Sequence, residues 1–259
     1  MENKKSIVPL ILVVIVSAFL IYYAVMLSMA PGKKMADLQA AFAPVPPEKG
    51  DYNEKLFQDS AYISLLKIKS FLASRTALAD QDSIYLLINL ADSIANLEIS
   101  GVPVHSAKIS SYEISKILEE GDRNIIYTML TTPLTIEDYI STIDKEPVKV
   151  KIAPKDTSEY IPDATPDTSI IEQVNYMFEV SNGIRIYINQ EENQTSDDKR
   201  SVTAFNTKER IKDTWVALKS VANLKTPEYH PSIKIRIPRN DAKVIFRALP
   251  RNGQIVVKT

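Results

Sequence analysis

The feature that most constrains this chain is an uncharged, strongly apolar segment near its N-terminus. No Asp, Glu, Lys or Arg occurs between residues 6 and 32, and the core of the segment, "IVPLILVVIVSAFLIYYAVMLSMA", covers residues 7–30. An α-helix rises 1.5 Å per residue, so about 20 residues are enough to cross a hydrocarbon layer of about 30 Å. The sequence therefore predicts a membrane-spanning helix.

A cleavable signal peptide is the alternative interpretation of the same segment. Ser28 and Ala30 form a small-x-small pattern of the kind found at cleavage sites. The apolar run is longer than the usual h-region of about 7–15 residues, however, and Pro31 would directly follow the cut. The sequence therefore favours an uncleaved membrane anchor.

The charged residues around the segment do not decide the orientation of the helix. Lys4 and Lys5 before it are matched by Lys33 and Lys34 after it, so the positive-inside rule favours neither orientation. The head before the segment is short, which favours a cytoplasmic N-terminus. We expect a single-pass protein of the cytoplasmic (inner) membrane whose C-terminal domain is periplasmic.

Composition excludes several classes of function. The 259 residues are 45% hydrophobic and 24% charged, as expected for one sizeable globular domain with accessory segments. Lys and Arg number 31 against 32 Asp and Glu, so charge predicts no nucleic-acid partner. The absence of cysteine excludes thiolate catalysis, Cys-ligated zinc and disulfides. With His105 and His230 as the only histidines, we expect no metal site and no cofactor.

Three parts of the chain are distinguishable. Residues 1–33 are the cytoplasmic head and transmembrane helix, residues 34–82 a Pro-containing spacer and an amphipathic helical stalk, and residues 83–259 a β-rich domain. Three prolines within residues 43–51 make the spacer stiff. Leu65, Ile68 and Leu72 form an apolar stripe on a helix predicted over residues 52–80. This stripe either packs on its own domain or pairs with a copy of itself or another membrane subunit.

From about residue 83, β-forming runs alternate with turn residues. Runs at 84–90, 97–99 and 102–109 predict a three-stranded meander, followed by a short helix around residues 114–118. Further strands are expected at 148–152, 176–180, 184–189, 234–237 and 254–258, helices at 136–143 and 241–248, and surface loops at 153–169 and 189–200. The predicted fold class is mainly β with short helices, on an N-terminal transmembrane helix and helical stalk.

The order of these segments resembles the L,D-transpeptidase domain, a β-rich peptidoglycan cross-linking fold, over roughly residues 83–259. "SIYLLINLADSIANLEISG" is similar to the opening strand pair of that family, and Thr132 and Pro133 match its Thr-Pro segment. "SNGIRIYIN" is similar to the strand before the catalytic histidine. "IRIPRNDAKVIFRALPRNGQIVV" is similar to the Ile-Arg-x-x-x-x-Asp-Ala segment with its closing turn and strand.

The same resemblance implies that the catalytic residues are missing. It places the catalytic cysteine at Lys234 and the His-Gly pair at Tyr187 and Ile188. Acyl transfer needs a thiolate activated by a neighbouring imidazole, which lysine and tyrosine do not supply. A nucleophilic lysine needs an apolar pocket, whereas "IKIRI" places Lys234 and Arg236 together on one solvated face of a strand. We therefore predict a pseudoenzyme with no catalytic residues.

Basic residues concentrate at the C-terminal end, with seven Lys or Arg against two acidic residues from position 228 onward. They belong either to ordinary solvated faces or to the rim of a former substrate groove that now accepts an acidic surface. The rim residues that we predict are Lys234, Arg236, Arg239 and Tyr187.

These interpretations lead to a non-catalytic, membrane-anchored periplasmic scaffold with an L,D-transpeptidase-like domain. The whole chain also resembles membrane-anchored envelope subunits of type VI secretion systems of Bacteroidota, which implies a subunit of an envelope-spanning complex. The expected partners are the cytoplasmic membrane, envelope-complex proteins, a second copy of the chain and peptidoglycan. Two alternatives remain open, a peptidoglycan-binding anchor and a divergent peptidoglycan-modifying enzyme.

Overall fold

The computed structural model describes residues 8–42, 59–145, 172–192 and 196–259. These residues form a mixed α/β structure with a nine-stranded sheet. The spacer predicted at 43–51, the strand predicted at 148–152 and the loop predicted at 153–169 lie outside the described residues. The helices are α1 Val8–Phe42, α2 Ser60–Ala79, α3 Lys116–Glu119, α4 Arg123–Met129, α5 Ser196–Ala222 and α6 Arg239–Ala248. The strands are β1 Ile84–Asn89, β2 Ile94–Ile99, β3 Val102–Lys108, β4 Ser111–Ile114, β5 Leu134–Ser141, β6 Asn175–Val180, β7 Ile184–Gln190, β8 Ser232–Ile237 and β9 Gln254–Lys258.

The sheet curls on itself because its two edge strands are consecutive in the chain. The strand order is β3-β2-β1-β9-β5-β6-β7-β8-β4, with parallel pairs β1/β9 and β7/β8. If it were flat, eight inter-strand spacings of about 4.8 Å would separate β3 from β4 by about 38 Å. Only Ile109 and Ser110 join the two strands, so the edges must approach each other.

The main core fills the concave side of this curled sheet, where α6 packs. Phe246 of α6 is fully buried and its ring centroid lies 4.8 Å from that of Tyr176 in β6. The Tyr176 hydroxyl donates a hydrogen bond to the Ala242 carbonyl at 3.0 Å, which satisfies a polar atom that would be costly to bury unpaired. A smaller cluster on the other side of β1 and β9 is formed with α2.

The helix α1 connects the apolar segment directly to the folded domain. It is 35 residues long and includes Pro31. Its stretch Leu10–Phe42 contains a window with a mean hydropathy of 2.8 that is not buried in the protein, which makes it a candidate membrane span. Towards its end, Ala30 and Leu38 are buried, and Met35 packs against the main core. One continuous helix therefore passes through the boundary predicted at residue 33.

Several sequence predictions are confirmed. β1, β2 and β3 form the predicted antiparallel meander, and α6 spans the helix predicted at 241–248. The strands predicted at 176–180, 184–189, 234–237 and 254–258 are β6, β7, β8 and β9. The short helix predicted around 114–118 begins later, at Lys116, because Ser111–Ile114 pair with β8 as β4.

The helix predicted at residues 136–143 is wrong, because this segment is strand β5. Its pairing with β6 shifts register between Ile136 and Asp138, which marks a β-bulge. A bulge adds one residue to a strand and so interrupts the regular alternation of side chains between the two faces of the sheet. Tyr139 therefore reaches Phe246 in the core, with ring centroids 5.7 Å apart, only three residues after the buried Ile136. Two core-facing residues three positions apart, Ile136 and Tyr139, are typical of a helix, which is why the sequence predicted one here.

The loop predicted at residues 189–200 is wrong at its C-terminal end, because α5 begins at Ser196. This helix of 27 residues was not predicted from the sequence. Its buried residues include Phe205, Glu209 and Val221, while the large apolar residues Ile211 and Trp215 are exposed. With apolar residues on both sides and a charged residue on the buried side, the helix has no clear amphipathic pattern in its sequence.

Candidate functional site

The structure brings Tyr187 and Lys234 next to each other. They are directly opposite on the parallel strands β7 and β8, and Asn189 and Arg236 form the next pair on the same face. Ile233, which alternates with these residues, is buried. The prediction that Lys234 and Arg236 share the face of β8 away from the core is thus consistent with the burial pattern.

Lys234 is held in an exposed ion pair. Its Nζ lies 3.3 Å from Oε2 of Glu113, its cross-strand neighbour on β4. Exposed pairs of this kind stabilise a protein by about 1 kcal/mol or less. This contact makes Lys234 a solvated surface cation and does not create the apolar pocket that a nucleophilic lysine requires.

Arg239, the remaining basic residue of the predicted rim, is engaged elsewhere. Its Nε donates to Oε1 of Gln190 at 3.2 Å, and its backbone N–H donates to the Glu192 carboxylate at 2.8 Å. Gln190 lies three residues beyond Tyr187 on β7, so alternation places their side chains on opposite faces. The structure therefore brings together Tyr187, Lys234 and Arg236, and not Arg239.

The face that carries Tyr187 and Lys234 borders a cavity of about 420 Å³. Its walls are formed by Tyr23 and Leu27 of α1, by the middle of α5 and by the segment before β8. The space that the resemblance would assign to a substrate groove is therefore enclosed partly by the apolar helix.

A polar network attaches α5 to this face. Arg185 of β7 donates through Nη1 to Asp213 of α5 at 2.7 Å and through Nε to Glu179 of β6 at 3.2 Å. Burial alone would lower the pKa of Arg185, but the hydrogen bond to Asp213 and its charge raise the pKa above the ordinary value. Burial raises the pKa of Tyr187 and also that of Glu209, which lies on the inner side of α5.

His230 lines the same cavity as Lys234 and Ser232. Its Nδ1 lies 3.1 Å from the carbonyl oxygen of Gly183. A carbonyl can only accept, so Nδ1 carries the proton in this contact and Nε2 is the basic nitrogen of the neutral ring. The histidine is satisfied on one side, as expected for a structural residue, and retains one nitrogen for other contacts.

Lys145 was missed by sequence reasoning, because nothing in the local pattern distinguishes it. Its Nζ lies 5.2 Å from the ring centroids of both Tyr139 and Phe246 and has no hydrogen-bond partner among the described residues. Burial, together with the charge of Arg251, lowers the pKa of Lys145. Contact with two rings stabilises the cation.

The predicted interaction helix is α2, and its apolar stripe is exposed. Leu65, Ile68 and Leu72 have relative exposures of 65%, 53% and 52%. The opposite side of the helix buries Ser70, Ser74 and Leu78. Of the two interpretations of this stripe, packing on the chain's own domain does not occur among the described residues.

A buried charge network fixes the inner side of α2 to the sheet. Arg75 makes two hydrogen bonds to the carboxylate of Glu98 in β2, at 3.0 and 3.1 Å, and a third to the carbonyl of Gly101 at 3.0 Å. Glu98 is 1% exposed and also accepts a bond of 2.7 Å from the hydroxyl of Tyr85 in β1. This network sets which side of α2 faces solvent.

Within the described residues, no cluster of three or more His, Asp or Glu side chains has the arrangement of a metal site. Comparison with known proteins gives no relative: no family model, no curated protein and no solved structure matches the chain. A function is therefore inferred from the geometry of the chain itself.

Proposed function

We propose that this protein is a non-catalytic scaffold of the cell envelope, anchored in the cytoplasmic membrane by α1, with its domain in the periplasm. In this proposal it is a subunit of an envelope-spanning assembly of the type VI secretion kind. Its partner docks as a helix on the apolar stripe of α2, formed by Leu65, Ile68 and Leu72.

The observation that carries this proposal is the apolar stripe that α2 leaves exposed. Surface helices normally bury their apolar side, whereas α2 buries Ser70, Ser74 and Leu78 and also directs Leu65, Ile68 and Leu72 outward. Contiguous exposed apolar surface of this kind marks interaction sites. The three residues are also spaced at steps of three and four, which is the spacing of the residues with which one helix contacts another. Because Arg75 pairs with the buried Glu98, rotation of α2 to bury the stripe would leave the Glu98 carboxylate buried without its cation.

The domain over residues 83–259 is, in this proposal, an L,D-transpeptidase-like pseudoenzyme. The two positions that the resemblance assigns to the catalytic histidine and cysteine, Tyr187 and Lys234, lie directly opposite each other on adjacent strands. A catalytic pair would need this proximity. The residues present supply no thiolate, and the ion pair with Glu113 holds Lys234 at the surface.

In-cell photocrosslinking tests the α2 interface. A photoreactive phenylalanine derivative replaces Ile68 in the full-length protein, and the control carries it at Val104 on the edge strand β3, where the native side chain has a similar exposure of 54%. We expect a crosslinked partner at position 68 and none at position 104. A further variant carries the photoreactive residue at position 65. Adding Ile68→Asp to this variant should abolish its crosslink to the partner, while the chain stays folded.

Charge reversal at Arg236 distinguishes the groove from the helix. This residue is exposed on β8, so Arg236→Glu should change stability by less than about 0.5 kcal/mol. Arg239 is a poorer probe, because its replacement would remove contacts to Gln190 and Glu192. If Arg236→Glu prevents complex formation and Ile68→Asp does not, the groove is the interface and the α2 proposal is wrong. A crosslink from position 68 to the chain itself identifies the partner as a second copy.

The second candidate function is a divergent peptidoglycan-modifying enzyme. The observation in its favour is that His230, with Nε2 as its basic nitrogen, lines one cavity with Ser232 and Lys234. We expect no turnover of peptidoglycan tetrapeptide donors by the purified full-length protein. Cross-linking or cleavage that disappears in His230→Ala and in Lys234→Ala, but persists in the surface control Lys108→Ala, would make it an enzyme.

A further inference from the structure

We propose that one side of α5, centred on Trp215, lies in the headgroup region of the membrane that α1 spans. This surface, the α5 ridge, consists of Ile211, Trp215 and Leu218. The proposal rests on the anchor role of α1 proposed above and adds a second, peripheral membrane contact whose ligand is an anionic lipid surface.

The α5 ridge points away from the protein. Trp215 is 68% exposed, and Ile211 is also exposed. The other side of the helix buries Phe205, Glu209 and Val221, while Arg185 holds Asp213 at 2.7 Å. Ile211, Trp215 and Leu218 follow each other at steps of four and three, so they lie on one side of the helix.

The position of α5 along α1 places the ridge at the level of a membrane surface. Lys212, Val216 and Ala217 of α5 line a cavity together with Tyr23 and Leu27 of α1. At 1.5 Å per residue, Leu27 lies about 26 Å along the helix from Leu10. A hydrocarbon layer of about 30 Å that begins near Leu10 ends about three residues beyond Leu27. Val216 therefore lies near the outer end of the span, where the buried contacts of α1 begin at Ala30. Trp215 is the neighbour of Val216 in the helix, so the α5 ridge lies at the same level on the opposite side of α5.

Residue types on the exposed side of α5 match this position. Tryptophan is enriched at the interface between hydrocarbon and water, because its ring is apolar and its N–H is polar. Lys208, Arg210, Lys212 and Lys219 are exposed around the ridge. The acidic residues of this part of the helix are directed inward, Glu209 by burial and Asp213 by its contact with Arg185. The outward charge is therefore positive and complements anionic headgroups.

Lipid is a better occupant than protein for this surface. An integral helix holds its own membrane beside the cavity shared by α1 and α5, so lipid is present at this level in every molecule. A protein partner would have to displace that lipid from the exposed ridge. The apolar stripe of α2, by contrast, has no such connection to the span.

Trp215 is the only tryptophan of the chain, so its fluorescence reports on the ridge alone. The full-length protein is reconstituted into vesicles of phosphatidylcholine and phosphatidylglycerol, and their flotation first tests the anchor. We expect Trp215 emission that is shifted to the blue relative to the exposed indole of a free tryptophan analogue, and strong quenching by lipids brominated near the headgroup. Aqueous acrylamide should quench it weakly, and vesicles of phosphatidylcholine alone should give a smaller blue shift.

A substitution on the ridge and a matched one elsewhere complete the test. Ile211→Glu should shift Trp215 emission to the red and raise acrylamide quenching, with unchanged helix content by circular dichroism. Leu65→Glu makes the same kind of change on the exposed stripe of α2 and should leave both signals as in the wild type.

The possible failures are distinguishable. A chain that does not float with the vesicles overturns both the anchor role and the ridge. A chain that floats, but whose Trp215 is quenched by acrylamide and not by brominated lipid, keeps its anchor and loses the ridge proposal. Protection from both quenchers would mean that protein covers Trp215, which also overturns the lipid contact.

Discussion

The hydroxyl of Tyr85 makes the stability of the contact between α2 and the sheet depend on pH. The side chain is 1% exposed and its hydroxyl donates to Glu98 at 2.7 Å. Burial, and then the hydrogen bond and charge of Glu98, raise the pKa of Tyr85 to about 12 from an ordinary value of 10.0. Below pH 10 the folded and unfolded states are both protonated here, so the contribution of this group is complete. As pH rises from 10 to 12 the unfolded state loses its proton first, and stability falls.

This shift predicts an alkaline loss of stability that a single substitution removes. A difference of two pKa units corresponds to about 2 to 3 kcal/mol of unfolding free energy. Urea unfolding of the full-length protein in mild detergent, followed by circular dichroism at pH 9 to 12, should show the wild type losing more stability than Tyr85→Phe. Tyr176 and Tyr187 also have raised pKa values and remain in both proteins, so the difference isolates Tyr85. The exposed Tyr112→Phe should follow the wild type. Parallel curves for wild type and Tyr85→Phe would contradict the prediction.

At the scale of elements, local patterns predicted what local interactions determine. The meander β1 to β3 follows from alternation and turns within about 25 residues, and it is observed. β5 was predicted as a helix because the bulge after Ile136 is fixed by pairing with β6, about 40 residues away. The long helix α5 escaped prediction because its inner side mixes the apolar Phe205 and Val221 with Glu209 and with Asp213, which pairs with Arg185 on β7. Such matching between distant elements leaves no periodic signal in either one.

The surface of α2 was predictable in part. The stripe of Leu65, Ile68 and Leu72 follows from spacing, but whether it faces the domain or the solvent depends on Arg75 finding Glu98, 23 residues later. A sequence shows the two charges and not their contact. The same holds for Tyr187 and Lys234, which are 47 residues apart in the chain and become neighbours only through the register of β7 and β8.

At the scale of the whole molecule, α1 joins the apolar segment closely to the domain. Met35 contacts Gly121, where a Cβ would overlap both the Met35 side chain and the Ile117 carbonyl, so the helix approaches the domain closely. The apolar span and these packed residues share one helix of 35 residues. Because no described break in α1 separates span from domain, a rotation of the domain about a hinge would require α1 itself to bend. If α1 spans the membrane as proposed, α2 lies at a defined height above the membrane.

The last prediction separates the membrane anchor from a cleaved signal sequence. A signal peptidase that recognises Ser28 and Ala30 would cut before Pro31, within a helix whose residue 30 is buried against the domain. We expect the chain isolated from membranes to keep its full length, to resist extraction by alkaline carbonate, and to place a reporter fused at Thr259 in the periplasm. Ser28 is exposed, so Ser28→Leu destroys the recognition pattern without affecting a packed site and should change neither chain length nor extraction.

A wild-type chain shortened by about 30 residues, with full length restored in Ser28→Leu, would identify a signal peptide and remove the anchor together with the membrane contacts that depend on it. A reporter active in the cytoplasm would instead reverse the orientation, and the peptidoglycan layer would then be out of reach of the domain.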